Sequence, residues 1–433
     1  MLIFLVILSL LLLQGVSIFN MDYLFYSLGT MGDALPFIKL AASINEGGAK
    51  AAFIGNEKFD HLASSMGVKL FSVSSLAAYQ NSYNNPLTWS RHHAQNHYND
   101  FHFPAIKRTF KTIESIIRKG HKPIIIYQDA LSGARMAAEE FGLKSCQVVL
   151  APQGIGSILS PPYPMRRQVE ERLWGEIFPQ IRGKAKKDTF DRLVRPLINP
   201  ARKELGLAQW SLSDLPDMET SPSILALFPA WLKPNPGDWP KQLVNTGFIL
   251  GETQDSESNA RLDEFINQYG APLVFTFGTG IPVTNLLIDK IRNLCRIIGK
   301  PGIFVAHSKN ESFFECGEFP VLILPSVPFS YLFARAALVI HHGGIGTCAQ
   351  ALATGIPQVI SPYTFDQPDN AFLLWQLGIS NAIDFLSDSV NQIASCVMEV
   401  LSSHSIKEKV KYYQNLTTDE TESSVQFLLS LKE

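Results

Sequence analysis

The sequence predicts an α/β protein built from two doubly wound, Rossmann-like domains facing each other across a cleft. Three observations carry that expectation. Short apolar runs alternate with helical-period segments through both halves, the pattern of parallel sheets covered by helices. A glycine-bearing turn follows the first strand of each half, at Gly29-Thr30 and at Gly278-Thr279-Gly280. A proline- and tryptophan-rich stretch, Phe228 to Pro240, separates the two. The 433 residues suffice for two or three domains, each with its own core. Hydrophobic content of 46% and charged content of 18% are those of a globular chain, and a net charge of −2 gives no electrostatic basis for nucleic-acid binding.

Taken in order, residues 1–20 form an apolar segment with no charge before Asp22. It reads as a signal-peptide core with Gly15-Val16-Ser17 as a weak cleavage site, as a membrane anchor, or as a mis-set start with Met21 as the true first residue. The absence of any Lys or Arg before Lys39 favours the last, and the run is short for a bilayer span. The first domain is expected over 21–225. Its strands are Tyr23–Ser27, Ala51–Ile54, Ile124–Tyr127 and Gln147–Leu150, with Pro36 opening the first helix and Gly47-Gly48 closing it. Residues 226–250 read as a stiff linker or ordered surface segment, since proline excludes helix there. The second domain, 251–405, offers strands at Leu273–Phe277, Ile303–Ala306, Val321–Leu324, Leu338–Ile340 and Gln358–Ile360. Residues 406–433 are expected as a terminal helix packing back on the first domain.

The chemistry concentrates in His341-His342-Gly343-Gly344-Ile345-Gly346-Thr347, directly after an apolar strand and before a helical segment that stops at Gly355. Ligands bind at such strand-to-helix turns in doubly wound sheets. Glycines admit close backbone approach, free N–H groups of a new helix attract anions, and an imidazole adds a donor. This is a phosphate site with histidine, and His341 is preferred over His342 by its place in the motif. Asp366-Gln367 follows nineteen residues after Thr347. The five cysteines (Cys146, Cys295, Cys316, Cys348, Cys396) are odd in number and form no Cys-x-x-Cys pair, which argues against a zinc site or disulfide framework and fits a reducing compartment.

The block from His341 to Gln367 resembles the donor-binding motif of GT-B nucleotide-sugar glycosyltransferases, which join a His-x-Gly-Gly-type turn to a downstream Asp-Gln. Leu227-Phe-Pro-Ala-Trp231, Asp238-Trp-Pro240, Thr246-Gly-Phe248 and Gly355-Ile-Pro-Gln-Val359 resemble the rhamnosyltransferases of rhamnolipid biosynthesis. Gly32-Asp33-Ala34-Leu35-Pro36 is similar to the opening of antibiotic and sterol glycosyltransferases. The likeness runs from Met21 to about Gly378 and is looser between 75 and 220.

The resemblance implies an inverting hexosyltransferase using a UDP- or dTDP-sugar. Donors at the diphosphate would be His341, Gly344, Gly346, Thr347, Thr279 and Gly278, and Asp366 with Gln367 would bind the sugar. Ser326-Val327 lies where relatives hold the nucleobase. Asp33 is the candidate general base, with helix capping as its bland alternative. Gly29, Thr30, Ile155 and Trp174 are expected on the acceptor side, within an apolar region suited to a lipid-like hydroxyl compound. A polyketide or phenolic acceptor is the alternative. No Asp-x-Asp occurs, so no metal or other cofactor is expected, and His92, His93 and His97 lack a convincing ligand geometry. Partners are then a nucleoside-diphosphate sugar and a hydrophobic acceptor, with peripheral association at the cytoplasmic membrane face. A nucleotide-sugar epimerase of the same architecture is the rival. A nicotinamide oxidoreductase is disfavoured, because Gly29-Thr30-Met31-Gly32 lacks the Gly-x-Gly-x-x-Gly fingerprint.

Overall fold

The computed structural model describes residues 21–432 apart from 84, 86–97, 156, 158, 164–186, 188–189, 215–219, 252–255, 279–282, 307–311 and 315–318. Two seven-stranded sheets organise it. The first comprises β1 (Tyr23–Tyr26), β2 (Ala51–Asn56), β3 (Lys69–Ser74), β4 (Ile124–Tyr127), β5 (Ser145–Val149), β6 (Ile224–Ala226) and β7 (Leu243–Asn245). Its order is β3-β2-β1-β4-β5-β6-β7 and every pairing is parallel. The second comprises β8 (Leu273–Thr276), β9 (Gly302–Val305), β10 (Ser312–Phe314), β11 (Val321–Leu324), β12 (Leu338–His341), β13 (Gln358–Ile360) and β14 (Ser380–Ala382). Its order is β10-β11-β9-β8-β12-β13-β14, with only β10 antiparallel.

The strands read as continuous apolar runs because helices cover both faces of a parallel sheet. Tyr23, Leu24, Phe25 and Tyr26 of β1 are all buried, and each such side chain contributes roughly 1.5–3 kcal/mol. Strand order reverses between β1 and β4 in the first sheet and between β8 and β12 in the second. At each reversal the outgoing connections diverge to opposite faces, leaving a crevice at the carboxyl ends of the strands.

Five helices position the site and join the halves: α1 (Met31–Glu46), α2 (Ile345–Thr354), α3 (Gln367–Gln376), α4 (His404–Leu416) and α5 (Thr421–Ser430). Helix α1 begins at Met31 rather than at Pro36, which lies inside it. Thr30 sits at the N-cap and its backbone N–H donates to Asp33 in the first turn, so local capping overrides the proline as the start signal. Helix α2 ends as expected at Gly355, in the left-handed conformation.

The 226–250 stretch is corrected from linker to part of the first domain. It supplies β7, and Leu232, Trp239 and Phe248 are buried in a cluster that also takes Val149 and Phe228 from one half and Leu352, Ile360 and Leu374 from the other. The chain's end divides in two. Helix α4 packs on α2 in the second domain, whereas α5 returns to α1. Lys39 pairs with Asp419, Thr246 and Ser424 share a hydrogen bond of 2.7 Å, and Tyr23 donates to the Leu428 carbonyl at 3.2 Å. Across the halves Tyr163 stacks on Phe372 at 4.6 Å, and its N–H donates to Asp369 at 2.7 Å. Among the described residues no helix is long and apolar enough to cross a membrane.

Candidate functional site

His341 is the last residue of β12 and is fully buried. Its Nδ1 accepts the Gly343 N–H at 3.2 Å, so the ring proton sits on Nε2, which donates to Gln358 Oε1 at 3.0 Å. Both nitrogens are engaged inside the sheet, and burial pushes the pKa down to about 3, with the neighbouring His342 adding to the effect. The expectation that His341 meets phosphate is therefore corrected. A strand-end side chain alternates faces with its neighbour, and here the inward face falls on His341.

His342 takes the outward place. Its Nδ1 is buried with no partner in hydrogen-bonding geometry. Its Nε2 lies over the two glycine turns, where a Cβ on Gly278 or Gly344 would come to 3.2 or 2.6 Å of it. Burial pushes its pKa down to about 4, against the pull of the Thr276 backbone. The ring is thus neutral, with its Nε2 edge turned toward the two glycine turns. Gly344 caps α2, so the N–H groups of Ile345, Gly346 and Thr347 have no acceptor within the helix. Gly346 is exposed, and a Cβ there would meet nothing within 4 Å, which leaves the helix start open to an anion. Gly278 stands opposite in the left-handed region, at φ 67°. Gly344→Ala should displace the His342 ring and weaken nucleotide binding by about tenfold, the value of one good hydrogen bond to a charged group. Unchanged affinity by calorimetry would remove His342 from the site.

Asp366 lies at the N-cap of α3 yet makes no capping hydrogen bond. The preceding Phe365, at φ 56°, is the one non-glycine residue in the left-handed region among those described. Backbone strain of that kind persists where the surroundings hold a functional side chain in place. Burial pushes the Asp366 pKa up to about 6, with Asp33 and Asp369 adding to the rise and the Asn370 hydrogen bond opposing it. Gln367 is buried, and its Oε1 accepts the N–H groups of Tyr363 and Thr364 at 2.9 and 3.2 Å. Its carbonyl therefore shapes the loop, which leaves only its amide N–H group for a sugar.

Asp33 occupies the first turn of α1, beside the β1/β4 reversal. Its Oδ2 accepts from the Thr30 N–H at 2.7 Å and the Thr30 hydroxyl at 2.9 Å, and its Oδ1 accepts from Gln128 Nε2 at 2.8 Å. Gln128 is itself held by the Ser27 hydroxyl at 2.7 Å. A Cβ on Gly29 would lie 2.4 Å from Asp33 Oδ2, so glycine is what lets the carboxylate fold against the turn. The negative charge of Asp33 acts on Asp366 and, after burial, on Tyr83, whose pKa it helps raise.

Ser326 is exposed just beyond β11, while Val327 is buried in the core of the second domain. Ile155 is buried between the halves with Val149 and Phe228, so it is corrected from acceptor contact to core. Thr279, Trp174, His92, His93 and His97 lie outside the described residues. Among the described residues no group of three or more His, Cys, Asp or Glu is placed to hold a metal. Sequence reasoning missed Gln128, Gln358 and Asn370. The signal for Gln358 was present, a polar residue opening an otherwise apolar strand, and Asn370 lies one helical turn after Asp366.

The histidine pair also sets an acid limit on stability. In the unfolded chain both would titrate near 6.5. The fold holds them neutral to about 3 and about 4, so the unfolded chain binds more protons below 6.5. Their contribution is complete above pH 6.5 and is lost as pH falls toward the folded values, at up to about 1.4 kcal/mol per unit for each ring. His342→Gln should flatten the fall of the urea midpoint between pH 6.5 and 4.5. Parallel curves for variant and wild type would contradict this.

Two doubly wound parallel sheets, each with its own strand-order reversal, define the GT-B class of fold. Residues 305–421 match the family of the erythromycin biosynthesis protein CIII-like C-terminal domain. An O-mycaminosyltylonolide 6-deoxyallosyltransferase of Streptomyces fradiae is 30% identical over 36% of this chain and 35% of its own length. A sterol 3-beta-glucosyltransferase of Vanderwaltozyma polyspora is 27% identical over 57% of this chain and 21% of its own. The chain thus spans about a third or less of these relatives. The solved glycotransferase of kitacinnamycin superposes with a TM-score of 0.69 at 16% identity, over 95% of this chain and 99% of its own. The glycosyltransferase VinC, solved with dTDP, superposes at 0.62 and 17% identity, over 95% and 98%. The chain thus has the two-domain fold of these solved glycosyltransferases, and its residues 305–421 match the family named above.

Proposed function

We propose that this protein is an inverting, metal-independent glycosyltransferase that moves a hexose from a nucleoside-diphosphate sugar to a hydroxyl of a hydrophobic acceptor. The observation that carries this reading is the open helix start of α2 beside His342, with buried Asp366 at the head of α3 and the Asp33 carboxylate held by Thr30 and Gln128 at the head of α1. A sugar whose hydroxyls donate to Asp366 would present its anomeric carbon toward Asp33. The acceptor oxygen attacks that carbon as Asp33 takes its proton, and the bond to the diphosphate oxygen breaks on the opposite face. Negative charge then grows on the diphosphate, where His342 and the N–H groups opening α2 stabilise it. Preorganised donors of this kind do the work of a cation, and the chain has no Asp-x-Asp to hold one.

VinC was solved with dTDP, which supports a pyrimidine nucleoside diphosphate. The similarity to a sterol glucosyltransferase supports a hydrophobic acceptor, and such an acceptor together with a cytosolic supply of nucleotide sugar favours work at the cytoplasmic membrane face. The test pairs UDP- and dTDP-hexoses with sterols, hydroxy-lipids of rising chain length, macrolide aglycones, phenols and polar sugars, with and without EDTA. Each acceptor methylene buried should add roughly 0.8 kcal/mol. A glycoside of retained configuration, or epimerised donor without acceptor, would overturn the mechanism. Transfer to polar acceptors alone would overturn the acceptor class.

A further inference from the structure

Gly343, at the centre of the anion turn, is gripped from two sides. Its N–H donates to His341, and its carbonyl accepts from Asn370 Nδ2 at 2.9 Å. The same Nδ2 donates its second hydrogen to Asp366 Oδ2 at 2.8 Å. A continuous chain of hydrogen bonds therefore runs from Gln358 through His341, Gly343 and Asn370 to Asp366. Asn370 is 1% exposed, so it reaches neither donor nor acceptor substrate. Its Oδ1 is buried without a partner. Turning the amide over would set that oxygen against the Gly343 carbonyl and the Asp366 carboxylate, so the unpaired Oδ1 is the consequence of aiming Nδ2 at both. Gly343 cannot yield either. It stands at φ 87°, and a Cβ there would lie 2.8 Å from Ile360 Cγ2.

We propose that Asn370 is a positioning residue that fixes the Asp366 carboxylate relative to the diphosphate turn, so that recognition of the hexose depends on a side chain touching no substrate. This rests on the donor-site reading above. Among the described residues, the titratable groups bearing on Asp366 are Asp33 from the first domain, Asp369 on its own helix and Cys348 on α2, and Asn370 is the one side chain donating to it. Loss of that donor leaves Asp366 among carboxylates and free to turn.

The experiment compares wild type with Asn370→Ala and the isosteric Asn370→Asp, whose ionised form cannot donate. Carbon-13 NMR titration of the Asp366 carboxyl without nucleotide, assigned with Asp366→Asn, should show an upward shift of about one pH unit in Asn370→Ala and more in Asn370→Asp. Calorimetry with UDP, dTDP and their hexoses should show nucleoside-diphosphate affinity within about threefold of wild type, while the gain in affinity from the hexose falls about tenfold. An unmoved titration with intact hexose discrimination, beside a lowered melting temperature, would reduce Asn370 to a structural residue and overturn the proposal. Wild-type protein that binds no nucleotide sugar would overturn the donor-site reading itself, a separable failure because the carboxyl titration uses no nucleotide.

Discussion

Asp33→Asn should lower kcat by about a hundred- to ten-thousand-fold while donor binding and melting temperature persist, because removing a general base takes away a transition-state interaction alone. The amide keeps one oxygen for the Thr30 N–H and nearly the same volume, so the start of α1 survives. Of the two roles weighed for Asp33 from sequence, the structure shows the capping one, since its carboxylate braces the first turn of α1. Its hydrogen bonds from Thr30 and Gln128 hold the carboxylate in one rotamer, as a positioned base requires. Transfer rates and product appearance, measured at saturating donor, check the prediction. Near-normal turnover in Asp33→Asn would leave the residue with its capping role only.

The second large effect separates two adjacent histidines. His342→Ala should lower turnover by about a hundred- to a thousand-fold, the loss for one preorganised donor at a developing anion, with little change in stability. His341→Ala should do the reverse first. It leaves the Gly343 N–H and the Gln358 amide unpaired in the interior, a destabilisation of about 3 kcal/mol, and activity falls because the turn loosens. Paired thermal melts and nucleotide titrations on the two variants distinguish these outcomes. A stable His341→Ala with weakened nucleotide binding would reverse the assignment of the two rings.

Much of the architecture was legible because parallel strands buried on both faces are continuous apolar runs. Val321–Leu324, Ile124–Tyr127 and Gln358–Ile360 were located to the residue for that reason. The turns were legible through glycine, as at Gly355. The short strands β6 and β7 were not, since three residues beside Pro and Trp carry no periodicity. Their pairing depends on a neighbouring strand distant in the chain.

At the candidate site, residue types and spacing by themselves pointed to an open helix start after β12, to Asp33 and Asp366 at two further helix starts, and to capping as a competing role for Asp33. Local covalent geometry suffices for those statements, because glycine, proline and helix starts act over a few residues. Only the tertiary structure decided which histidine faces the glycine turns, that Ile155 is core, and that Gln128, Gln358 and Asn370 hold Asp33, His341 and Asp366. Those assignments depend on which face of a strand meets the interior and on hydrogen bonds between elements far apart in sequence. Gln128 lies 95 residues from Asp33, and Asn370 lies 27 from Gly343. No periodicity in one chain records such a contact, since it exists only once the sheets have closed around it.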